Sequence, residues 1–271
     1  MTVADPLLEW ATGSGRHALA AVAFLALLAI LVAATQGGSW AQRPAGQRRR
    51  PEHSGISEDP YLSTVTAGAA VVGVGLTIFA FLALKILAGD SALREADQAF
   101  SEALGASLSP LARQTFGLLT HLGDTSTLTV LCLVVAIFLV AAGHHRLAVG
   151  WVVALAGNGA INQGLKHLVG RARPLLPAGG GIESGYSFPS GHSSGTTVAF
   201  GMLAYLAFRL LPARWHGTAW LTALALTVTV GASRAFLQVH FASDVLAGFA
   251  SGTVWLALCV TGLELLRRRA S

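Results

Sequence analysis

The chain has 271 residues, of which 53% are hydrophobic and 11% charged, whereas a soluble domain carries about 25% charged residues. With a mean hydropathy of +0.61 and 31 glycines, this balance excludes a disordered chain, a collagen-like chain and an ordinary cytosolic enzyme. The net charge of +5 does not point to nucleic acid, because the basic residues sit mostly at the ends of apolar segments.

In chain order the apolar residues form seven runs: 18–35, 64–88, 126–142, 147–166, 193–211, 217–233 and 243–266. Each comes close to the roughly 20 residues that a helix needs to cross the hydrocarbon core. The expected fold is all-α, a polytopic membrane helix bundle with one N-terminal transmembrane helix and a six-helix core. Residues 1–62 read as a membrane anchor and basic linker, and residues 63–271 as the six-helix unit.

The first run follows Arg16 and His17 and also has the look of a secretory signal, but no convincing cleavage site follows it. A retained anchor is therefore expected. From Gln36 to Pro60 the chain is rich in Gly, Pro and Arg, as a linker is.

Residues 90–125 suit neither lipid nor disorder. Leu93, Ala96, Phe100, Leu104, Leu108 and Leu111 recur at three- and four-residue spacing, with Pro110 as a break. One or two short amphipathic helices on the outer membrane surface are expected, with Asp90, Glu95, Asp97 and Glu102 on their solvated face. Cys132 and Cys259 lie within apolar runs and read as packing residues.

Charge sets the expected orientation. Alternate loops and the tail hold Arg43, Arg48, Arg49, Arg50, Arg146, Arg209, Arg214, Arg267, Arg268 and Arg269, and this set should face the cytoplasm. The opposite set holds Arg16, Arg94, Arg113, Lys166, Arg171, Arg173 and Arg234. Span parity then brings the end of the fourth run, the start of the fifth, the end of the sixth and the start of the seventh to one outward face.

Ionisable groups at this depth are costly and point to function. Lys166, Arg173 and Arg234 supply donors without acceptors, as a multiply charged oxyanion requires. Ser190 and Gly191 stand where a helix begins, so open N–H groups would add to anion binding. His240 and Asp244, read as i and i+4 on one helix face, pair an imidazole with an orienting carboxylate. His192 adds a second imidazole. Together these residues suit phosphoryl transfer through a covalent phosphohistidine.

The pattern Lys166-x6-Arg173-Pro174, then Pro189-Ser190-Gly191-His192, then Ser233-Arg234-x5-His240-x3-Asp244 resembles the three-part signature of the type 2 phosphatidic acid phosphatase superfamily, which is related to the vanadium haloperoxidases. The motifs span residues 166–244, the six-helix layout extends the resemblance over about 64–266, and the first 60 residues fall outside it. The resemblance implies a lipid phosphatase without metal or other cofactor, acting on phosphatidic acid, phosphatidylglycerol phosphate or undecaprenyl pyrophosphate. It implies His240 as nucleophile, Asp244 as its orienting partner and His192 as general acid, with Lys166, Arg173, Ser190, Gly191 and Arg234 holding the phosphoryl oxygens. The implied partners are the lipid phosphate and the bilayer, in a bacterial inner membrane with the site on the extracytoplasmic side. The alternatives are a lipid phosphotransferase, a vanadate-dependent haloperoxidase and an inactive transporter or scaffold.

Several neighbours stay open at this stage. Asn158, Asn162 and Lys166 share a helix face, where the amides serve either interhelical hydrogen bonding or the site. His121 and Asp124 are candidates for the substrate entrance. Arg171 lies outside the signature, and Gly248-x3-Gly252 is a helix-contact pattern.

Overall fold

The structure, a computed structural model, describes residues 60–174 and 185–269. The first apolar run and the linker up to residue 59 lie outside the described residues. The elements are α1 (Pro60–Leu87), α2 (Ser91–Ser107), α3 (Pro110–Leu119), a 3₁₀ turn (Thr120–Gly123), α4 (Thr125–Ala141), α5 (His145–Val169), α6 (Gly191–Leu210), a second 3₁₀ turn (Ala213–Trp215), α7 (His216–Phe236) and α8 (Ala242–Arg268). All six apolar runs within the described residues are helices, and the described fold is an all-helical bundle.

Among the described residues, three segments are long and apolar enough to cross a membrane: Leu62–Leu87, Ala213–Phe236 and Ala242–Arg268. The segments Pro110–Gly123 and Thr125–Ala141, bent by 45° at their junction, qualify together as a fourth. α5 and α6 are long enough, at 25 and 20 residues, but less apolar. One carries Asn158, Asn162 and Lys166, and the other begins with His192, Ser193, Ser194, Thr196 and Thr197. The two amides and the Ser and Thr residues are buried inside the bundle, where polar groups near the membrane are tolerated.

Lipid is as apolar as leucine, so the helices associate through close packing and interhelical hydrogen bonds. Val135, Leu139, Ala148, Trp151, Ala154, Val198, Met202 and Leu206 form one buried cluster across α4, α5 and α6. Trp151 Nε1 donates to the Cys132 carbonyl at 2.9 Å and Trp255 Nε1 to the Ala154 carbonyl at 2.8 Å, so each indole is satisfied across a helix pair. Gly248 and Gly252 bring α8 onto α6: a Cβ would stand 2.6 Å from the Ser190 carbonyl at Gly248 and 2.8 Å from the Ser194 carbonyl at Gly252. The spacing thus marks a helix contact, as expected. Val74, Ile78 and Phe81 on α1 and Leu221, Leu224 and Val228 on α7 stay exposed, as a lipid-facing surface requires.

The segment between α1 and α4 does contain two short helices. Asp90 caps α2 by accepting from Leu93 N–H at 2.8 Å and pairs with Lys85 at 2.6 Å. Ser109 caps α3 and Pro110 opens it, as proline's missing N–H allows. One expectation fails here. Asp97 is not on the solvated face; it is 4% exposed and faces the protein with Ser101, while the apolar Phe100 remains outside.

Candidate active site

The ends of α5, α6, α7 and α8 that carry the motifs come together. The Ser190 N–H donates to the Asp244 carbonyl at 3.0 Å, tying the start of α6 to the start of α8. The Arg234 carbonyl accepts from the N–H groups of Val239 at 3.1 Å and His240 at 3.2 Å, so the last turn of α7 holds the loop bearing His240.

His240 and Asp244 meet, but not as expected. α8 begins at Ala242, so His240 lies in the preceding loop and the pair does not share a helix face. Asp244 stands in the first turn and accepts from the Phe241 N–H at 2.9 Å through Oδ2, which satisfies an open donor of the helix start. His240 Nδ1 lies 3.6 Å from that same oxygen. Between them stands Ser187, 3.2 Å from Nδ1 and donating its hydroxyl to Asp244 Oδ2 at 2.5 Å.

The opposite ring nitrogen, Nε2, is 3.1 Å from Arg173 Nη1. A guanidinium has only donors, so Nε2 must present its lone pair and the ring proton sits on Nδ1. The resulting chain runs from Nδ1–H to Ser187 Oγ, and from the Ser187 hydroxyl to Asp244. Burial pushes the His240 imidazole down to about 4; Asp244 pulls the other way, while Arg173 and Arg234 reinforce the shift. The ring is therefore neutral near pH 7.

Arg173 also donates to the carbonyls of Val239 at 2.9 Å and Gly185 at 3.2 Å. Lys166 Nζ, one turn from the end of α5, donates to the Tyr186 carbonyl at 2.5 Å. Arg234, 2% exposed, donates to Thr120 Oγ1 at 2.7 Å. Ser190 is the N-cap of α6 and its hydroxyl accepts from Ser193 N–H at 3.3 Å. Gly191 is the first residue of that helix, with the Asn162 Oδ1 atom 3.2 Å from where a Cβ would stand. Asn158 and Asn162 both donate to Ser194 Oγ, at 3.4 and 3.1 Å, so these amides join α5 to α6.

His192 takes a partner from a different part of the chain. Its Nε2 lies 3.0 Å from Asp124 Oδ1, and the other oxygen of Asp124 is 2.7 Å from His121 Nδ1. Burial alone would raise the Asp124 carboxyl, but the hydrogen bonds from His121 and His192 outweigh it and hold the group below the usual carboxylate range. Sequence reading left Asp124 as an entrance residue and passed over Ser187. It left Arg171 as a residue outside the signature that could assist, and Arg171 binds Asp244 Oδ1 at 2.6 Å. No motif spacing marks these residues, since their partners are 57 to 73 positions away. Among the described residues, no group of three or more His, Cys, Asp or Glu side chains is arranged to hold a metal ion.

The arrangement joins a buried neutral imidazole, a second imidazole on a carboxylate and three cations at the ends of one bundle. Comparison with known proteins places the chain in a family. Residues 147–268 match the PAP2 superfamily. The chain is 32% identical over 199 residues to phosphatidylglycerophosphatase B of Bacillus subtilis, covering 70% of this chain and 94% of that protein. It is 30% identical over 185 residues to lipid A 1-phosphatase of Rhizobium etli, covering 59% of this chain and 75% of that one. The crystal structure of a transmembrane PAP2-type phosphatidylglycerolphosphate phosphatase from Bacillus subtilis superposes with a TM-score of 0.64 at 27% identity, covering 73% of this chain and 97% of that one. The chain belongs to the PAP2 superfamily and is an integral membrane protein.

Proposed function

We propose that this chain hydrolyses the phosphomonoester or diphosphate of a membrane lipid through a phosphohistidine on His240. The observation that carries this reading is the His240 ring itself: buried, neutral, with its Nε2 lone pair 3.1 Å from the Arg173 guanidinium and its Nδ1 proton backed by Ser187 and Asp244. A phosphoryl group drawn to Arg173 would arrive beside that lone pair.

In the first step Nε2 attacks phosphorus and the phosphorus–oxygen bond to the lipid breaks. The leaving oxygen takes a proton from the His192 imidazolium. The N–P bond leaves the His240 ring cationic, and the Asp244 carboxylate offsets that charge through Ser187. Lys166, Arg173 and Arg234, with Ser190 and the open N–H groups at Gly191, would hold the phosphoryl oxygens and stabilise the charge gathered on them. In the second step neutral His192 takes a proton from water, the water oxygen attacks phosphorus, and the N–P bond breaks to release inorganic phosphate.

Residues 63–271 carry this reaction as a six-helix unit, with residues 1–62 as anchor and linker. The charge distribution supports an extracytoplasmic site in a bacterial inner membrane, because the end of the bundle away from the site holds Arg146, Arg209, Arg214, Arg267, Arg268 and Arg269. The similarity to phosphatidylglycerophosphatase B supports a glycerophospholipid monoester as substrate. The test is phosphate release by purified protein from phosphatidic acid, phosphatidylglycerol phosphate and undecaprenyl pyrophosphate in the presence of chelator. Release from at least one, with a base-stable and acid-labile phosphoenzyme, is the expected result. No release from any of them, or activity restored only by added divalent ion, overturns the reading.

A further inference from the structure

Beside the nucleophilic pair lies a buried charged cluster that the reaction above does not use. Arg171, 11% exposed, donates from Nη1 to Asp244 Oδ1 at 2.6 Å and to Ser243 Oγ at 2.7 Å, and from Nη2 to Asp97 Oδ2 at 2.8 Å. Its guanidinium carbon lies 4.4 Å from the centre of the Phe241 ring. Asp97 also accepts from the Ser243 N–H at 3.1 Å and from the Ser243 hydroxyl. One cation thus serves two carboxylates, one of which backs His240.

The two oxygens of Asp244 have different tasks. Oδ1 is held by Arg171, which leaves Oδ2 turned towards Ser187, the Phe241 N–H and His240. Arg171 alone would set this orientation at a cost, since its positive charge opposes the imidazolium that forms during the reaction. Asp97 offsets that charge. It reaches the site from α2, and the same face of α2 makes a second contact four residues on. Gln238, with a left-handed φ of 57°, donates to the Ser101 carbonyl at 2.8 Å. Gly105 leaves the room for this, since a Cβ there would stand 2.4 Å from Gln238 Nε2. Asp97 and Ser101 therefore grip the chain on both sides of His240.

We propose that Asp97 and Arg171 are positioning residues for the nucleophilic pair: Arg171 orients Asp244, and Asp97 neutralises Arg171 so that the carboxylate keeps its full effect on His240. The inference rests on His240 being the nucleophile. The other charged groups facing His240 are Arg173 from the segment after α5, Arg234 from α7 and Asp244 from α8. Lys166 of α5, His192 of α6, and Asp124 and His121 beside His192 are further titratable groups of the site, and all of these are kept constant in the test.

The experiment measures phosphate release from phosphatidic acid in detergent micelles against pH for the wild type, Asp97→Asn, Arg171→Gln, the double variant and Asp97→Glu. The acid limb of kcat/KM reports the loss of neutral His240. Asp97→Asn leaves Arg171 uncompensated, disfavours the imidazolium and moves that limb to lower pH. Arg171→Gln removes a cation and moves it to higher pH. Each shift should be about one pH unit, as for a single charge at short range in an intermediate dielectric. The double variant should return close to the wild-type limb, and Asp97→Glu should restore it.

In both single variants kcat should fall roughly tenfold or more with KM nearly unchanged, as when the outer partner of a reacting group is lost. If Arg171→Gln does not fold, Arg171→Lys serves: it keeps the charge but lacks the fork, so kcat falls while the limb stays. Limbs that do not move, or move in the same direction, overturn the proposal, as does Arg171→Lys with full kcat. A wild type that releases phosphate, loses it with His240→Ala and shows unmoved limbs overturns this proposal alone. A His240→Ala that keeps full activity overturns the reading of the site, and this proposal with it.

Discussion

The site holds two histidines, each beside an aspartate, in contrasting surroundings. The His240 side chain is 1% exposed and that of Asp244 0%, with Arg173 on the far side of the ring and Ser187 between ring and carboxylate. The His192 side chain is 17% exposed and that of Asp124 31%, with His121 on the second carboxylate oxygen. Burial among cations keeps the first imidazole unprotonated near neutral pH, which is the state a nucleophile needs. The second imidazole has a direct carboxylate contact in a more open setting, which suits the proton-donor role proposed for it. The same pair of residue types thus stands in opposite surroundings, which suits the opposite roles proposed for the two histidines.

The largest effect expected from this contrast is the loss of the nucleophile. His240→Ala should lower phosphate release by at least about 10⁴-fold on every substrate, as removal of a nucleophile does in other hydrolases. Trapping in alkaline denaturant, which preserves an N–P bond, should find no phosphohistidine. A trapped intermediate in that variant would show that another residue accepts the phosphoryl group.

His192→Ala should cost less, and should depend on the leaving group. General acid catalysis contributes roughly 10²–10⁴-fold, and an aryl phosphate whose phenolate departs unaided should recover most of it. The measurement is the ratio of rates on a lipid phosphate and an activated aryl ester for both variants. Equal, unrescued losses in the two would erase the contrast between the histidines.

The pH profile gives a smaller and more direct reading of His240. Its folded value of about 4 lies below the ordinary imidazole value of about 6.5. The acid limb of kcat/KM should therefore lie well below pH 6, and activity should persist at pH 5. An acid limb at the ordinary imidazole value would show that the ring is more solvated during turnover than its 1% exposure implies.

How much of this was legible in the sequence follows from the range of the contacts. The six described apolar runs announced their helices because hydropathy is local. The motif residues were legible because their types and spacings repeat a pattern, and the structure gathers them at one end of the bundle. Asp97 was misread because a single charge on an amphipathic helix is normally solvated, and its partners Arg171 and Ser243 are 74 and 146 positions away. A signal was nevertheless present: Asp97, Ser101 and Gly105 recur every four residues as a small or polar stripe, which is how a docked face reads. The relation of His240 to Asp244 was misjudged for a local reason, since the helix start at Ala242 falls between them. Ser187 became visible only when the chain on both sides of the ring had been brought together.

The smallest effect concerns Asp124, and it tests the more open half of the contrast. Its carboxylate lies 3.0 Å from His192 Nε2 and 2.7 Å from His121 Nδ1, and these hydrogen bonds hold its carboxyl below the usual carboxylate range. If that charge holds His192 protonated for its role as acid, Asp124→Asn should move the alkaline limb of kcat to lower pH, by about one unit or less given the partial exposure of the pair. Added salt should narrow the gap between wild type and variant, because a charge contact open to solvent is screened where the buried His240 pair is not. At acidic pH, where His192 is protonated in either protein, the two rates should converge. Asn can still accept a hydrogen bond from the ring, so loss of rate at all pH values without a shift would mean that Asp124 merely holds the 3₁₀ turn against α6. In that case the proton affinity of His192 would be set by the phosphate it faces.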